Sequence, residues 1–338
     1  MRNGDVIVAK ITPCFENGKL AIVDLEQSVA FGSTEFHVFR PTGEVDSRLL
    51  YQLLSSELIQ KEGCNQMKGA AGQKRVPSDF FRVFEFRVPR SLPEQKRLAK
   101  ILDKANEVRR KLQQSIRLSD DFLRSVFLDM FGDPVTNPKG WDDCSVLGEV
   151  AEIVSGVTKG RKLDGKKTRE IPYLAVANVQ DKRLNLEAVK TIPATSEEIQ
   201  KYRLIKNDLL LTEGGDPDKL GRGTLWCDEL AECIHQNHIF RVRLTHPEVH
   251  PVFLNWLVGS ERGKKYFLRS AKQTTGIASI NMTQLRAFPM LIPPFLVQKR
   301  FAELIQAVAK KTMKLTLQAR TAEDLFSSLQ QRAFRGEL

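Results

Sequence analysis

The sequence predicts an α+β protein in which two strand-rich domains, the first of them incomplete, are separated by two long antiparallel, coiled-coil-like helices. Three observations support this fold class. The chain has 338 residues, more than one hydrophobic core usually fills. Two long stretches place apolar residues at near-heptad spacing, and the sequence repeats itself at an offset of about 203 residues. We therefore expect a duplicated domain, followed each time by one long helix.

The repeat is clearest at the start of each predicted helix, where Gln95-Lys96-Arg97 corresponds to Gln298-Lys299-Arg300. Upstream, Gly4-Asp5-Val6-Ile7-Val8 falls on Asn207-Asp208-Leu209-Leu210-Leu211. Solenoid repeats usually have periods of about 20–50 residues, so this repeat is a duplicated module. Such a module usually reads a duplicated or bipartite target.

Residues 1–93 form the first strand-rich block. Short apolar or alternating runs separated by proline, glycine and asparagine predict strands, and leucines at helical spacing predict one helix. The strands are expected at residues 6–9, 20–23 and 36–39, and the helix at about 47–60. The first long helix occupies residues 94–133, where no proline or glycine occurs until Gly132-Asp133-Pro134.

The second strand-rich block covers residues 141–294, and residues 295–338 contain the second long helix. Within the block, strands are expected at 171–176, 209–212 and 239–243, and a helix near 251–262. Two matching helices in one chain most simply pack antiparallel, so that each hides the apolar seam of the other. The side chains expected to be buried are Leu98, Leu102, Leu112, Phe301, Leu304 and Leu315. The alternative is that each helix lies separately on its own domain.

The net charge of +11 and the pI of about 9.4 indicate a polyanionic partner, with nucleic acid first and an anionic membrane second. The alternative is a basic protein that binds nothing in particular. The N-terminus has no secretory pattern, and no apolar run approaches the roughly 20 residues of a membrane span. We therefore expect a cytoplasmic protein.

The five cysteines are scattered without a CxxC motif, which is typical of reduced thiols. One group, formed by Cys227, Cys233, His235 and His238, has the residue types of a zinc site. In a strand, however, Cys233 and His235 share one face and His238 leaves it, so tetrahedral coordination is disfavoured. No metal site is predicted.

Catalytic and cofactor motifs are missing from the sequence. The glycine-rich stretch 214–222 lacks the Gly-Lys-Ser/Thr of a phosphate-binding loop, and no strand–GxGxxG–helix, GxSxG or HExxH pattern occurs. Asn137-Pro138 lacks the following aromatic residue that base methyltransferases use. We assign no catalytic residue and no cofactor, and a binding function is favoured.

Two sets of basic and polar residues are candidates for DNA binding. The first is a glycine-flanked basic loop whose side chains would contact phosphates: Lys159, Arg161, Lys162, Lys166 and Lys167, with Arg222 as a further candidate. The second is a loop with base-reading residue types in both repeats: Lys272, Gln273 and Thr274, followed by Thr275-Gly276, and Gln73, Lys74 and Arg75. The alternative for the first set is a solvated surface loop.

Several stretches resemble one family. They are Ile171-Pro172-Tyr173-Leu174, Asn178-Val179, Asn207-Asp208-Leu209-Leu210, Gly221-Arg222-Gly223, Ile292-Pro293-Pro294 and the closing Ala333-Phe334-Arg335-Gly336-Glu337-Leu338. Together they resemble the specificity subunit of type I restriction-modification systems over essentially the whole chain.

The resemblance implies two target-recognition domains, each of which reads one half of a bipartite site on double-stranded DNA. It implies that the helices hold these domains apart and bind the methylation (M) subunits, in a complex that also contains the restriction (R) subunit. In such a complex the partners carry the methyltransferase and endonuclease activities. The specificity subunit has no catalytic residue.

The sequence departs from this family pattern at its start. About 65 residues (141–206) precede Asn207-Asp208 in the second block, whereas the first block starts directly at Gly4-Asp5. The first recognition domain is therefore expected to lack its N-terminal half and to be the less stable one. Val6, Ile7, Val8 and Phe39 should be more exposed than Leu209, Leu210, Leu211 and Val242. The alternative function is a partial specificity-subunit fragment that acts only as a protein-interaction scaffold.

Overall fold

The computed structural model describes residues 1–70, 72–163, 165–216, 220–274 and 277–338, with the backbone alone at positions 273, 274 and 277. The chain divides into two compact units. Unit 1 comprises residues 1–119 and 310–338, and unit 2 comprises residues 120–309. Both long helices contribute a segment to each unit.

Unit 1 begins with three strands, and helices follow them, as the sequence predicts. In chain order they are β1 (Val6–Ala9), β2 (Leu20–Ile22), β3 (Phe36–Phe39), α1 (Ser47–Leu54), α2 (Glu57–Asn65), α3 (Ser78–Arg82) and the first part of α4 (Leu92–Phe131). The helix predicted at about 47–60 is two helices. The first ends at Leu54 with Ser55 as its C-cap, and Ser56 caps α2 by accepting a hydrogen bond from the amide of Ile59.

Unit 2 contains the remaining elements. They are α5 (Leu147–Val150), β4 (Ala151–Ser155), β5 (Arg169–Leu174), a 3₁₀ turn (Val176–Asn178), β6 (Val179–Gln180), β7 (Arg183–Leu184), β8 (Lys190–Ala194), α6 (Ser196–Tyr202), β9 (Leu209–Thr212), β10 (Gly214–Gly215), β11 (Gly223–Leu225), β12 (Ile234–His235), β13 (Ile239–Leu244), α7 (Pro251–Val258), α8 (Glu261–Ser270), β14 (Lys272–Thr274), β15 (Ile277–Ser279), α9 (Met282–Arg286) and α10 (Phe295–Arg335), which continues into unit 1. The helix predicted near 251–262 ends at Val258, because Gly259 and Ser260 separate α7 from α8.

The sheet of unit 1 has β1 at its centre, antiparallel to β2 on one side and to β3 on the other. Val6 and Val8 alternate with Ile7 along β1, so they point into the core. There they belong to one apolar cluster with Phe15, Leu54, Ile59, Val76 and Phe80.

The main sheet of unit 2 has the order β11-β9-β13-β4. All residues of β9 are buried, as expected for a strand covered on both faces. A second sheet has the order β12-β5-β8 and adds its own apolar cluster around Ile171 and Ile234. This second sheet comes mostly from residues 165–206, for which the described part of unit 1 has no counterpart.

The repeat inferred from the sequence is confirmed at the level of strand register. Val8 pairs with Leu20 in unit 1, and at the same offset Leu211 pairs with Gly223 in unit 2. An ion pair with a buried carboxylate is repeated too, since Arg40 donates to Asp5 in unit 1. The Arg40 guanidinium lowers the pKa of Asp5 to about 2. In unit 2, Arg243 donates to Asp208 in the same way, over 2.7 Å and 2.8 Å.

A buried glutamine at the start of each long helix is the second repeated structural feature. The side chain of Gln95 accepts from the amide of Asp46 and donates to the carbonyls of Glu44 and Pro89. Gln298 accepts from the amide of His250 and donates to the carbonyls of Glu248 and Pro293. Each glutamine therefore fastens the long helix to the N-terminus of α1 or α7. This contact accounts for the glutamine of the repeated Gln-Lys-Arg triplet.

Within each unit, segments of α4 and α10 run antiparallel. In unit 1, Arg109 pairs with Glu323 over 2.7 Å and lies over the ring of Phe326. In unit 2, Phe127 and Phe131 pack on Phe301. No helix in the described part of the chain is long and apolar enough to cross a membrane.

The burial predicted for the helix seam is partly wrong. Leu98, Leu102 and Phe301 are buried as expected. Leu304 is 37% exposed, and Leu112 and Leu315 are only half-buried. The reason is that two helices shield one narrow stripe of each other, and full burial occurs only where sheet and short helices of the same unit add a further side.

The exposure predicted for the first block is also partly wrong. Val6 and Val8 are as buried as their counterparts in β9, because α1, α2 and Phe80 cover that face of β1. Ile7 and Phe39 are half-buried, whereas Leu210 and Val242 are fully buried. The two units therefore differ in burial on the face of the sheet that carries Ile7 and along strand β3.

Candidate nucleic-acid interface

The basic loop between β4 and β5 is anchored by Arg161. Its Nε and second guanidinium nitrogen donate to both carboxylate oxygens of Glu198, at 2.5 Å and 2.7 Å. The same side chain also donates to the carbonyls of Thr158 and Pro193. Glu198 in turn belongs to a capping box with Thr195 at the start of α6. Arg161 holds the loop to α6, and its donors are directed into the protein.

This ion pair shifts the protonation of both partners. Hydrogen bonding to Arg161 lowers the pKa of Glu198 to about 2, and the Glu198 carboxylate raises the pKa of Arg161. Both side chains are more than three-quarters shielded from solvent. Bidentate pairing of this kind is among the stronger polar contacts in proteins.

The lysines of the loop have a different environment. Lys159, Lys162, Lys166 and Lys167 are exposed, and no ion pair or hydrogen bond of their ammonium groups occurs among the described residues. Arg169, at the end of the loop, pairs with Glu232 instead. Four exposed lysines on one loop favour contact with an anionic group such as a phosphate.

The second predicted loop leaves β14 in unit 2. Lys272 is exposed, and its backbone pairs with Ser279 of β15, whose other neighbour is β10. The side chains of Gln273 and Thr274 lie outside the described residues, and so do Thr275 and Gly276. The structure therefore describes only the base of this loop.

The counterpart in unit 1 has the same backbone arrangement. Lys68 bridges Arg75 and Arg75 bridges Ile11, at positions equivalent to the pairing of β14, β15 and β10. Gln73 and Lys74 are exposed at the tip. Arg75 donates to both oxygens of Glu35, at 3.0–3.2 Å. The tip residues are thus free to contact a ligand, whereas Arg75 holds the loop in place.

Arg222 lies at a cavity of unit 2 rather than on an open surface. It donates to Gln180 over a long 3.4 Å, and its Nε is buried without a partner. The cavity has a volume of about 300 Å³. Its lining includes the aromatic rings of Phe127 and Trp256, the cationic groups of Arg124, Lys182, Arg222 and Lys264, and the carboxylates of Asp133, Asp181 and Glu261.

Lys182 is the most unusual of these cations. Its ammonium lies 3.8 Å from the ring centroid of Trp256, a cation–π contact, and burial lowers its pKa. No carboxylate lies within ion-pair distance of it among the described residues. The lining of this cavity therefore carries both charge signs, with four cations and three carboxylates. Sequence reasoning did not find Arg124, Trp256 and Lys264, because each belongs to a helix whose pattern indicates only packing.

The cysteine and histidine group does not form a ligand cluster in the described part of the chain. Cys233 and His235 are buried, and the ring nitrogens of His235 face the carbonyls of Tyr202 and Val154. Burial lowers the pKa of His235 to about 4. His238 is outside the core and pairs with Glu213.

Similarity to known proteins was found at the level of families, sequences and structures. A family model described as a type I restriction modification DNA specificity domain matches residues 2–117 and 138–322. The chain is 46% identical over 99 residues to the EcoAI specificity subunit of Escherichia coli, covering 28% of this chain and 16% of that protein. It is 23% identical over 299 residues to the StySPI specificity subunit of Salmonella potsdam, covering 81% and 62%. The matches thus span less than two thirds of these relatives.

Two solved structures share the fold. One is an S subunit of a type I restriction-modification system from M. genitalium, with a TM-score of 0.54 and 14% identity, matched over 99% of this chain and 83% of that one. The other comes from a study of complex assembly and conformational transition of the type I R-M system, with a TM-score of 0.54 and 18% identity, matched over 100% and 83%.

Proposed function

This chain belongs to the family of type I restriction modification DNA specificity domains, and from this premise we propose that it is a non-catalytic DNA specificity subunit. In this role it recognises a bipartite target on double-stranded DNA and docks M and R subunits through its helices. The assembled complex, not the chain itself, then carries methyltransferase and endonuclease activity.

The duplication is the observation that carries this proposal. Two units with the same strand register present a loop with exposed polar or basic side chains at equivalent positions. Lys68 in unit 1 and Lys272 in unit 2 are both exposed at the base of this loop, and Gln73 and Lys74 are exposed at its tip in unit 1. A protein that carries two copies of one reading surface is suited to a target with two parts.

Affinity for the duplex comes, in this proposal, from the free lysines of the basic loop. Lys159, Lys162, Lys166 and Lys167 would contact phosphates, which set register and supply affinity independent of sequence. Arg161 and Arg75 would act as positioning residues, since Glu198 and Glu35 already occupy their donors. Recognition of the DNA bases would come from Gln73, Gln273 and Thr274.

Apolar side chains exposed on the long helices support protein docking. On the unit 1 segments they are Val108, Leu118, Met313, Leu317 and Leu325. On the unit 2 segments they are Phe122, Leu128 and Leu304. These exposed apolar side chains are available for contact with a protein partner.

A second candidate function, a protein-interaction scaffold that does not read DNA, is favoured by one observation. The described part of unit 1 has no counterpart of the β12-β5-β8 sheet, so one recognition unit is smaller than the other. A scaffold would bind M subunits through its helices without directing them to a sequence.

Reconstitution with the M subunits of the same system separates the two candidates. A specificity subunit makes adenine methylation by those subunits dependent on one DNA sequence, and omission of the chain abolishes it. A scaffold binds the M subunits but gives no sequence-dependent methylation. Methylation by the isolated chain would contradict both candidates.

A further inference from the structure

The turn between β12 and β13 of unit 2, residues 236–238, is bonded to the start of the basic loop. The amide of Asn237 donates to the carbonyl of Val157 over 3.0 Å, and the hydroxyl of Ser155 donates to the carbonyl of Asn237 over 2.6 Å. The basic loop begins directly after Val157. The turn therefore fixes the point from which the loop lysines extend.

On its other side, the turn is bonded to the strands that carry the second candidate loop. The amide of Glu213 donates to the carbonyl of His238 over 3.0 Å, and the amide of Ile280 donates to the carbonyl of Glu213 over 2.9 Å. Ile280 directly follows β15, in which Ser279 pairs with Gly214. The turn thus lies between the bases of the two loops that are candidates for DNA binding.

Three polar side chains form one cluster at this turn. The Nδ1 of His238 donates to a carboxylate oxygen of Glu213 over 2.5 Å, and the amide nitrogen of Asn237 lies 3.4 Å from the Nε2 of His238. An ionised carboxylate only accepts hydrogen bonds, so Nδ1 carries the proton. The His238 side chain is 55% exposed, and the Oδ1 of Asn237 makes no hydrogen bond among the described residues. The cluster presents an oriented imidazole and a side-chain amide to solvent.

The charge of the cluster distinguishes it from the basic loop beside it. The turn has no lysine or arginine, and Glu213 places a carboxylate next to it. A carboxylate repels a phosphate, so this surface favours the neutral edge of a base. An asparagine amide matches the N6 and N7 groups of adenine, and base edges rather than phosphates carry the sequence information of DNA.

Unit 1 has the same backbone contact at this point but different side chains. At the repeat offset of about 203 residues, Lys10 corresponds to Glu213. Glu35 corresponds to His238, and its carboxylate accepts from Arg75. The amide of Lys10 donates to the carbonyl of Glu35 over 2.9 Å, so the backbone frame is kept. The two units therefore present different hydrogen-bonding groups on one frame, as expected where they read different half-sites.

We propose that Asn237 and His238 contact base edges in the half-site that unit 2 reads, and that Glu213 is the positioning residue that holds His238. This inference rests on the proposed function and adds to it a base-reading element outside the loop that follows β14. The lysines of the basic loop then bind phosphates beside the bases that the turn contacts.

The test uses the complex of the full chain with the M subunits of its system, which selects DNA from a pool of randomised duplexes. One variant combines Asn237→Ala with His238→Ala. The matched control is His246→Ala, which removes a histidine beyond the other end of β13. Thermal unfolding of each chain checks that both variants are folded, and fluorescence anisotropy gives the dependence of affinity on salt.

We expect the double variant to lose about tenfold of its preference at one or more base pairs, all in one half-site, because those bases are no longer contacted. These base pairs differ from the ones affected by Gln273→Ala and Thr274→Ala. The slope of log K against log salt concentration stays at the wild-type value, since no phosphate contact is removed. His246→Ala keeps the wild-type motif.

A double variant that selects the wild-type motif would overturn the proposal. Uniform weakening on all duplexes with a shallower salt slope would overturn it too, because the two residues would then contact phosphates. In both cases the wild-type complex still selects a bipartite motif, and the proposed function stands. A wild-type complex that selects no motif would contradict the proposed function together with this inference.

The positioning role of Glu213 has its own test. Glu213→Gln keeps an oxygen that accepts from the Nδ1 of His238, so we expect it to retain the wild-type motif. Glu213→Ala removes that acceptor and should weaken the same base preference as His238→Ala. If Glu213→Ala also retained the motif, Glu213 would not be the residue that positions His238.

Discussion

Arg161 and the lysines around it differ in what they bind inside the protein, and this difference decides their roles. Arg161 is committed to Glu198 and to two backbone carbonyls, whereas the four loop lysines have no partner among the described residues. In unit 1, Arg75 likewise pairs with Glu35, whereas the side chain of Lys74 is exposed. Arginine thus fixes each loop, and the lysine side chains stay exposed.

Replacing Lys159, Lys162, Lys166 and Lys167 together with alanine should weaken binding to every duplex. Each lysine that contacts a phosphate contributes about 0.9 to the slope of log K against log salt concentration. We therefore expect a shallower slope, measured by fluorescence anisotropy at several salt concentrations. The matched control is Arg161→Ala, which should lower stability more than it changes the slope. An unchanged slope in the fourfold variant would place the DNA surface elsewhere.

The Arg161–Glu198 pair should make unit 2 sensitive to acid. The pKa of Glu198 is about 2, below its ordinary value of 4.5, so the stabilisation is complete above pH 4.5 and is lost as the pH falls toward 2. Its upper limit is about 3 kcal/mol. Glu198→Gln should therefore be less stable than the wild type at pH 7 and nearly equal to it near pH 2. Denaturant unfolding across this pH range measures the difference. A constant difference at all pH values would contradict the assignment.

At the scale of elements, apolar periodicity identified both long helices but could not tell which seam residues are buried. Leu102 and Leu304 both belong to the apolar repeat of a long helix, yet the first is fully buried and the second is 37% exposed. Only the short helices and the sheet of each unit create the difference, and these approach from distant parts of the sequence. Similarly, the loop positions could be predicted from the repeat, but the ion-pair partners of their arginines could not. Glu198 lies 37 residues from Arg161, and Glu35 lies 40 residues from Arg75.

Leu102→Ala should therefore cost about 2–5 kcal/mol in unfolding free energy, the range for a buried leucine. Leu304→Ala should cost less, about 1–2 kcal/mol, because about a third of its side chain is already in water. Chemical denaturation of the two variants compares them directly. Equal losses would mean that the helix pair is covered evenly along its length.

Replacing a buried glutamine should lower the free energy of unfolding more than replacing an exposed polar residue does. Gln298→Leu leaves the amide of His250 and the carbonyls of Glu248 and Pro293 without their partner. We expect a loss of about 2–4 kcal/mol, since each buried group left unpaired costs about 1–3 kcal/mol. The control, Gln306→Leu, changes an exposed glutamine of the same helix and should stay within about 0.5 kcal/mol of the wild type. If both substitutions lowered the stability by a similar amount, Gln298 would not be the residue that fastens α10 to the N-terminus of α7.

At the scale of the whole molecule, the net charge of +11 and the duplication are properties that the sequence alone reveals, and both agree with the family to which the chain belongs. The division into residues 1–93, 94–133, 141–294 and 295–338 stays a prediction. The compact units instead divide each long helix between them, because each domain packs on the nearest segment of both helices. Sequence periodicity marks where a helix begins and ends but not which core it joins.

Selection from a pool of randomised duplexes tests the central claim most directly. The complex of this chain with the M subunits of its system is used to select DNA, both as wild type and with Gln73 and Lys74 changed to alanine in unit 1 or Gln273 and Thr274 changed to alanine in unit 2. We predict an enriched motif of two separated half-sites, with the first variant relaxing one half and the second variant relaxing the other. A motif with a single part, or variants that both leave the two halves unchanged, would contradict the claim that each unit reads one half of a bipartite target.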